Sequence, residues 1–431
     1  MNDGSIRWLK DRAYRIFTLG ASNRVVGVFY SIMVAGILLS IAAFFITKGN
    51  SLGDMLFYDR HDYFMDYFNS IYYSLHDPYF EHDVIYPALT TAGYYAIGAV
   101  LEAVQVPFTD AITIRESPLG MLSYLLITAV ALFVLYKALN KNKEESRKET
   151  AIFFILSLLS FPMLFSIDRG NSVLIAVIFS LLFFVGYNSD NKKIRYLSYV
   201  FLGIAAGIKI FPFLFGLLVV RRFVESRKSE DLKEMAICAV IGAVIFLAPF
   251  ALFEGSFMAI LDNAFGYSRG LYPVGLGDIS SLIQTTAIII GYENYSTLAG
   301  AGTAVSLIFM LSVAIYVLFY KNAEKWELIC LLSAAQILFS GVAYPYVLLY
   351  MLIPAWYFIS SRPVMNLKNA IYAILLAAVL MPFPGFIGWE HMSYGRDMMV
   401  WAVVIIILVS AAVRLYDQNY TDDKMVPDQR N

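Results

Sequence analysis

The sequence predicts an all-α protein that crosses a membrane many times. The chain of 431 residues is 59% hydrophobic, with a mean hydropathy of +0.65, whereas a soluble domain is nearer half apolar. Charge-free apolar runs recur along it, and many are long enough to cross ~30 Å of hydrocarbon. The alternating ten-residue segments of a membrane barrel do not appear. A net charge of −1 points away from nucleic acid. Cys238 and Cys330 lie inside apolar runs and read as small packing residues, not as a disulfide or a metal site.

Residues 1–431 read as one integral-membrane unit. Its lead, 1–25, carries Arg7, Lys10, Arg12, Arg15 and Arg24 and is placed in the cytoplasm by the positive-inside rule. The apolar run 26–47 is too long for a signal-peptide core and reads as a retained first span. It delivers an external loop, 48–116, with juxtamembrane helices. Within it, 58–75 reads as an interfacial helix. Asp59, Asp62 and Asp66 share one face; Phe64, Phe68, Ile71 and Leu75 share the other. Residues 84–106 start at Tyr86-Pro87 and read as a helix dipping into the outer leaflet. A full crossing there would carry Lys137, Lys141, Lys143, Arg147 and Lys148, at the end of the span 117–137, to the outside.

Residues 151–167 then run outward to Asp168-Arg169-Gly170-Asn171, and 172–187 return. The next apolar run, 196–208, is interrupted by Lys209 and Pro212 and continues at 213–220, which reads as two short helices meeting at Lys209. The run 235–253 leads to a Gly-rich external and re-entrant stretch, 254–296, holding Arg269 and Asp278. Spans at 297–319, 326–342, 344–360, 369–386 and 397–415 precede a cytoplasmic tail, 416–431. The scheme has about twelve crossings.

In this scheme the polar groups that are not basic anchors collect on the outer side: Asp59, His61, Asp62, Asp66, Asp77, Asp168, Arg169, Asn171, Lys209, Arg269, Asp278, Tyr344, Tyr346, Glu390 and His391. Asp62 and Asp66 suit a general base that takes the proton of an attacking hydroxyl. The plainer alternative is a solvated acidic face. A divalent metal held by His61, Asp62 and Asp66 is a weaker third reading, and no cofactor is expected. Arg169 suits a phosphate, unless it is engaged by Asp168. Lys209, flanked by apolar residues, is costly in a membrane and marks a functional position. Arg269 is a third candidate for the phosphate. The Gly-rich stretch lacks phosphate-loop spacing. These residues fit a site where a lipid phosphate sits at headgroup level and a hydroxyl acceptor arrives from outside.

Two blocks resemble the polyprenol-phosphate-mannose-dependent mannosyltransferases of glycosyltransferase family 87, in the GT-C superfamily. The first is Asp62-Tyr-Phe-Met-Asp66-Tyr-Phe-Asn69 with Asp77-Pro78-Tyr79 and Ile85-Tyr86-Pro87-Ala88-Leu89. The second is Arg169-Gly170-Asn171 with Gly203 to Gly207 and Lys209-Ile-Phe-Pro212. The similarity covers about residues 26–225. Tyr-Pro-Ala-Leu stands where a second proline is common. The resemblance implies a GT-C fold and a polyprenyl-phosphate hexose donor. It also implies an inverted product and a catalytic Asp in the first external loop, Asp62 ranking ahead of Asp66. Asn69, Tyr86, Asn171, Tyr344 and Tyr346 are expected to line the substrate cleft. The acceptor is an envelope glycan or glycolipid, the other partners are membrane lipids, and the location is the cell membrane with the site facing out. The competing classes are a transporter or flippase, with ionisable groups near the midplane and inverted repeats, and a non-catalytic assembly subunit.

Overall fold

The computed structural model describes residues 12, 15, 18–21, 23–56, 62–104, 108–141, 147–253, 256–270, 273, 276–339, 344–382 and 388–424. The apolar runs become helices wherever Pro, Gly and short polar residues punctuate them. In order these are α1 (Arg24–Ile46), α2 (Asn50–Met55), α3 (Met65–Leu75), α4 (Ala88–Val104), α5 (Ala111–Glu116), α6 (Pro118–Leu139), α7 (Arg147–Leu158), α8 (Phe161–Arg169), α9 (Val173–Gly186) and α10 (Lys192–Ile208). A 3-10 turn, Phe211–Gly216, leads to α11 (Leu217–Ser226), α12 (Ser229–Leu247), α13 (Ser256–Gly270), α14 (Ile279–Ile289), α15 (Ala299–Phe319) and α16 (Lys325–Leu338). A further 3-10 stretch, Pro345–Met351, precedes α17 (Leu352–Ser360), α18 (Leu367–Leu380) and α19 (Gly388–Lys424). Among the described residues there is no strand.

The starts follow from the sequence. The Asn23 side chain accepts from the Val25 and Val26 amides, and Ser117, ahead of Pro118, accepts from the Gly120 amide. Each satisfies a donor that the first helical turn leaves open.

Among the described residues, five stretches are long and apolar enough to cross a bilayer alone: Arg24–Ile46, Pro118–Leu139, Ser229–Leu252, Tyr295–Phe319 and Tyr394–Arg414. The pair α7–α8, bent by 56° at Leu159-Ser160, makes a sixth. The protein is an all-α polytopic membrane protein. The expected full spans at 172–187 and 369–386 are shorter than read, with 14 helical residues each, about 21 Å at 1.5 Å per residue. Helix α16 is buried on every side from Trp326 to Leu338, as expected of a helix that is apolar all round.

A second departure concerns the first loop. The helix expected over 58–75 starts only at Met65. Asp62 precedes it, and Phe64 is left-handed, with φ 61° and ψ 13°. Asp59 and His61 lie outside the described residues. The apolar face itself is as expected: Phe68 and Ile71 are fully buried and form a small core with Tyr94 of α4, Ile114 of α5 and Tyr124 of α6. That core fixes α3, and with it the acidic residues, onto the helix bundle.

Candidate active site

The site is assembled where two chain breaks meet. Helix α8 ends in a Schellman turn: the Asn171 amide donates to Ser166 O and the Gly170 amide to Ile167 O, both at 3.0 Å. Gly170 is left-handed, with φ 69°. A Cβ there would lie 2.9 Å from Phe64 O and from Tyr67 Cβ, so only glycine allows the two segments to touch. The Phe64 amide donates to Asp168 O at 2.8 Å, and the Tyr124 hydroxyl to Ile167 O. This docking explains why Phe64 holds a conformation that costs a bulky residue about 1–3 kcal/mol.

The docking places Arg169 between the two carboxylates. Its Nη1 donates to Asp62 Oδ2, and its Nη2 to Asp66 Oδ1 at 2.6 Å. Asn171 Nδ2 donates to Asp66 Oδ2 at 2.7 Å and to the Tyr86 hydroxyl at 3.3 Å. The amide is oriented by the Val173 amide, which donates to Asn171 Oδ1 at 3.0 Å. Both oxygens of Asp66 are therefore occupied, whereas Oδ1 of Asp62 accepts no bond among the described residues. The Asp62 side chain is 28% exposed against 16% for Asp66.

Lys209 caps α10 with an extended backbone, φ −139° and ψ 127°. The Thr90 hydroxyl of α4 donates to Ile208 O at 3.0 Å and fixes this end. The Lys209 ammonium stands 4.1 Å from the Tyr86 ring centroid and 5.6 Å from that of Tyr346, and among the described residues it forms no ion pair. Cation–π contacts of this kind contribute about 0.5–2 kcal/mol and leave its three donors open.

These groups border a cleft of about 470 Å³ lined by Asp62, Asp66, Asn69, Tyr86, Arg169, Tyr344 and Tyr346, all seven read from the sequence. Asn171 and Lys209 reach it through Tyr86. The side chain of Arg269 lies outside the described residues, as do those of Glu390 and His391. A metal at His61, Asp62 and Asp66 therefore has no described geometry. Asp278, grouped with the outer polar residues, instead caps α14 in the interior, accepting from the Ser281 amide at 3.0 Å.

The cleft also contains Ser70, Tyr73, His82, Asp83 and Phe165, which the sequence reading missed. Ser70 and Tyr73 follow Asp66 by four and seven residues, so the helical period of α3 signals them. His82 stacks on Tyr73 at 4.4 Å from a loop that carries no period. Burial, and then the Asp62 carboxylate, push the Tyr73 phenol up; burial, and then Asp66, push Tyr86 well up. Both hydroxyls stay protonated and able to donate at neutral pH.

Behind Gly170 and Asn171 lies an apolar cavity of about 320 Å³, bounded by Tyr94, Ile97, Ile127, Ile175 and Ile204 among others.

Among known families, the model described as glycosyltransferase family 87 matches residues 103–345, more than half of the chain. The matched stretch contains Arg169, Asn171, Lys209 and Tyr344 but begins after Asp62 and Asp66, so geometry alone ties the acidic residues to it. No curated protein matches the chain.

Proposed function

The chain belongs to glycosyltransferase family 87, and on that premise we propose that it transfers a hexose, such as mannose, from a polyprenyl phosphate to an envelope glycan or glycolipid, with Asp62 as the general base. An acceptor hydroxyl attacks the anomeric carbon from the face opposite the phosphate. As the new C–O bond forms, the bond from the anomeric carbon to the phosphate oxygen breaks, and its electron pair leaves with the phosphate. The hydroxyl proton passes to Asp62 Oδ1, and the configuration inverts. The departing phosphate oxygen carries charge that the Lys209 ammonium stabilises, so no general acid is required.

The observation that carries the assignment is the unequal engagement of the two carboxylates. Each Asp66 oxygen already accepts a hydrogen bond, whereas Asp62 keeps one oxygen that accepts none among the described residues, on a side chain that is more exposed and lines the cleft. Asp66 and Arg169 act as positioning residues. Since Arg169 is occupied by both acids, the phosphate falls to Lys209, whose donors are open. The apolar cavity beside Asn171 suits the first isoprene units of the carrier. Lys137, Lys192 and Lys193 cap the far ends of α6 and α10 from the cleft, and the positive-inside rule then favours a cleft facing out of the cytoplasm.

The test incubates the purified protein with radiolabelled polyprenyl-phosphate sugars and membrane extract. Label moving to a glycan or glycolipid, with loss in Asp62→Asn, is the expected result. Equal transfer by wild type and Asp62→Asn removes the base; no transfer from any such donor removes the reaction.

A further inference from the structure

A second groove runs beside the cleft. Its volume is about 720 Å³, larger than the cleft. Neighbouring residues of α3 serve the two spaces: Tyr73 lines the cleft and Ser74 the groove. The segment 77–86 is the wall between them, with Asp77 and Phe80 toward the groove and His82 to Tyr86 toward the cleft.

That wall is held from several directions. Tyr79 is 2% exposed; its hydroxyl donates to Tyr86 O at 3.0 Å and lies 2.9 Å from Thr91 Oγ1. Asn263 of α13 donates to Tyr79 O at 2.9 Å and to Val84 O at 3.3 Å. The Tyr79 ring meets Phe253 edge-on at 5.7 Å. On the groove side the Phe80 amide donates to Asp77 Oδ1 at 3.3 Å, which leaves the other carboxylate oxygen available.

The lining selects a class of ligand. Phe80 and Tyr95 are 60% and 49% exposed and offer ring faces that stack on the C–H faces of sugar rings. Asp77 supplies an acceptor for sugar hydroxyls. Among the described residues, no lysine or arginine lines the groove. Nothing there neutralises a phosphate, which weighs against a phospholipid headgroup and for an uncharged polyhydroxyl chain.

We propose that the groove binds the non-reacting sugars of an oligosaccharide acceptor, a neutral hexose chain whose reacting end crosses the Tyr79 wall into the cleft. This rests on the glycosyl-transfer reading for its purpose, but the binding is measurable without transfer. Full-length protein in phosphatidylcholine nanodiscs, without donor, is titrated with linear mannose and glucose hexasaccharides under saturation-transfer NMR. The wild type is expected to bind at least one of them. The double variant Asp77→Asn/Phe80→Ala, and separately Tyr95→Ala, are expected to weaken that binding by about tenfold. Transfer to a disaccharide, too short to span both spaces, should be unchanged, and thermal melts verify folding. Equal hexasaccharide affinity in all three proteins overturns the proposal. So does no binding by the wild type, or a spin-labelled phospholipid that occupies the groove and is not displaced by the sugar. Hexasaccharide binding without transfer from any polyprenyl-phosphate sugar sinks the transfer reading and leaves the groove standing.

Discussion

Helix α10 carries two charge clusters, one at each end, and they are built differently. Near its start Arg195 pairs with Glu234, which also accepts from Arg222 at 2.6 Å and from the Tyr199 hydroxyl at 3.0 Å. Arg222 reaches Asp231 at 2.6 Å, and the Ser226 hydroxyl donates to the same carboxylate. Both Glu234 oxygens are taken, and its side chain is 3% exposed. At the other end, 14 residues on and about 21 Å away, Lys209 forms no ion pair among the described residues, with the Asp66 carboxylate as an electrostatic influence, and Asp62 keeps an open oxygen beside a cleft. The first cluster is closed and ties α10, α11 and α12 together. The second is held by the same Arg–carboxylate chemistry but retains one unused acceptor and one unused cation. Saturation marks a structural network; leftover capacity facing a cavity marks a reactive one.

The comparison breaks most visibly with one neutral replacement in each cluster. Asp62→Asn should cut transfer at least ~100-fold, the scale of a lost general base, with little change in melting temperature because Arg169 keeps Asp66. Glu234→Gln should do the reverse. It leaves the buried Arg195 without its carboxylate, while Arg222 keeps Asp231, and destabilises by about 3 kcal/mol, while turnover per folded molecule holds. Radiolabel transfer and thermal unfolding on both proteins decide it. A stability loss in Asp62→Asn equal to that of Glu234→Gln, with normal transfer, would put the two clusters in one class. A smaller effect is expected of Lys209→Met, which keeps the apolar stem between Tyr86 and Tyr346. Loss of a charged donor to phosphate corresponds to about tenfold or more in the donor KM, with the acceptor KM unchanged. An unaltered donor KM would place the phosphate elsewhere.

Much of this site was legible before any coordinates, for one reason. Asp62, Asp66, Arg169, Asn171 and Lys209 each sit at a break in an apolar run, and charge bias puts those breaks at the same end of the bundle. Many of the helices followed from the same breaks, such as α1 and α6 to within a few residues, whereas the run 151–167 divides into α7 and α8. What stayed hidden depends on contacts between distant segments. The left-handed turn at Phe64 arises from docking on Asp168 and Gly170, so a helical period drawn through 58–75 could not show it. Nothing local reveals that Arg169, a candidate for the phosphate, bridges both acids. His82 and Asp83 lie on a loop whose position is set by Tyr79 and Asn263. The shortness of α9 and α18 was hidden too, since a buried helix and a spanning one share an apolar composition.

The finest distinction concerns Asn171, which does two things at once. Its Oδ1 accepts from the Val173 amide at the start of α9, and its Nδ2 donates to Asp66. Asn171→Asp keeps the acceptor at the helix start and replaces the donor with an anion facing Asp66. If the residue served only the helix start, aspartate would behave like asparagine, since the two cap about equally well. If it positions Asp66, aspartate should be worse than alanine: alanine loses the hydrogen bond to Asp66, with those to Tyr86 and from Val173, the first an effect of about tenfold in transfer, whereas aspartate adds repulsion between carboxylates that Arg169 alone must offset. The expected order of transfer per folded molecule is wild type, then Asn171→Ala, then Asn171→Asp, with α9 unchanged in hydrogen exchange for the aspartate variant. Aspartate at wild-type activity would show that the Asn171–Asp66 contact is incidental, and that Asp66 is held by Arg169 without help.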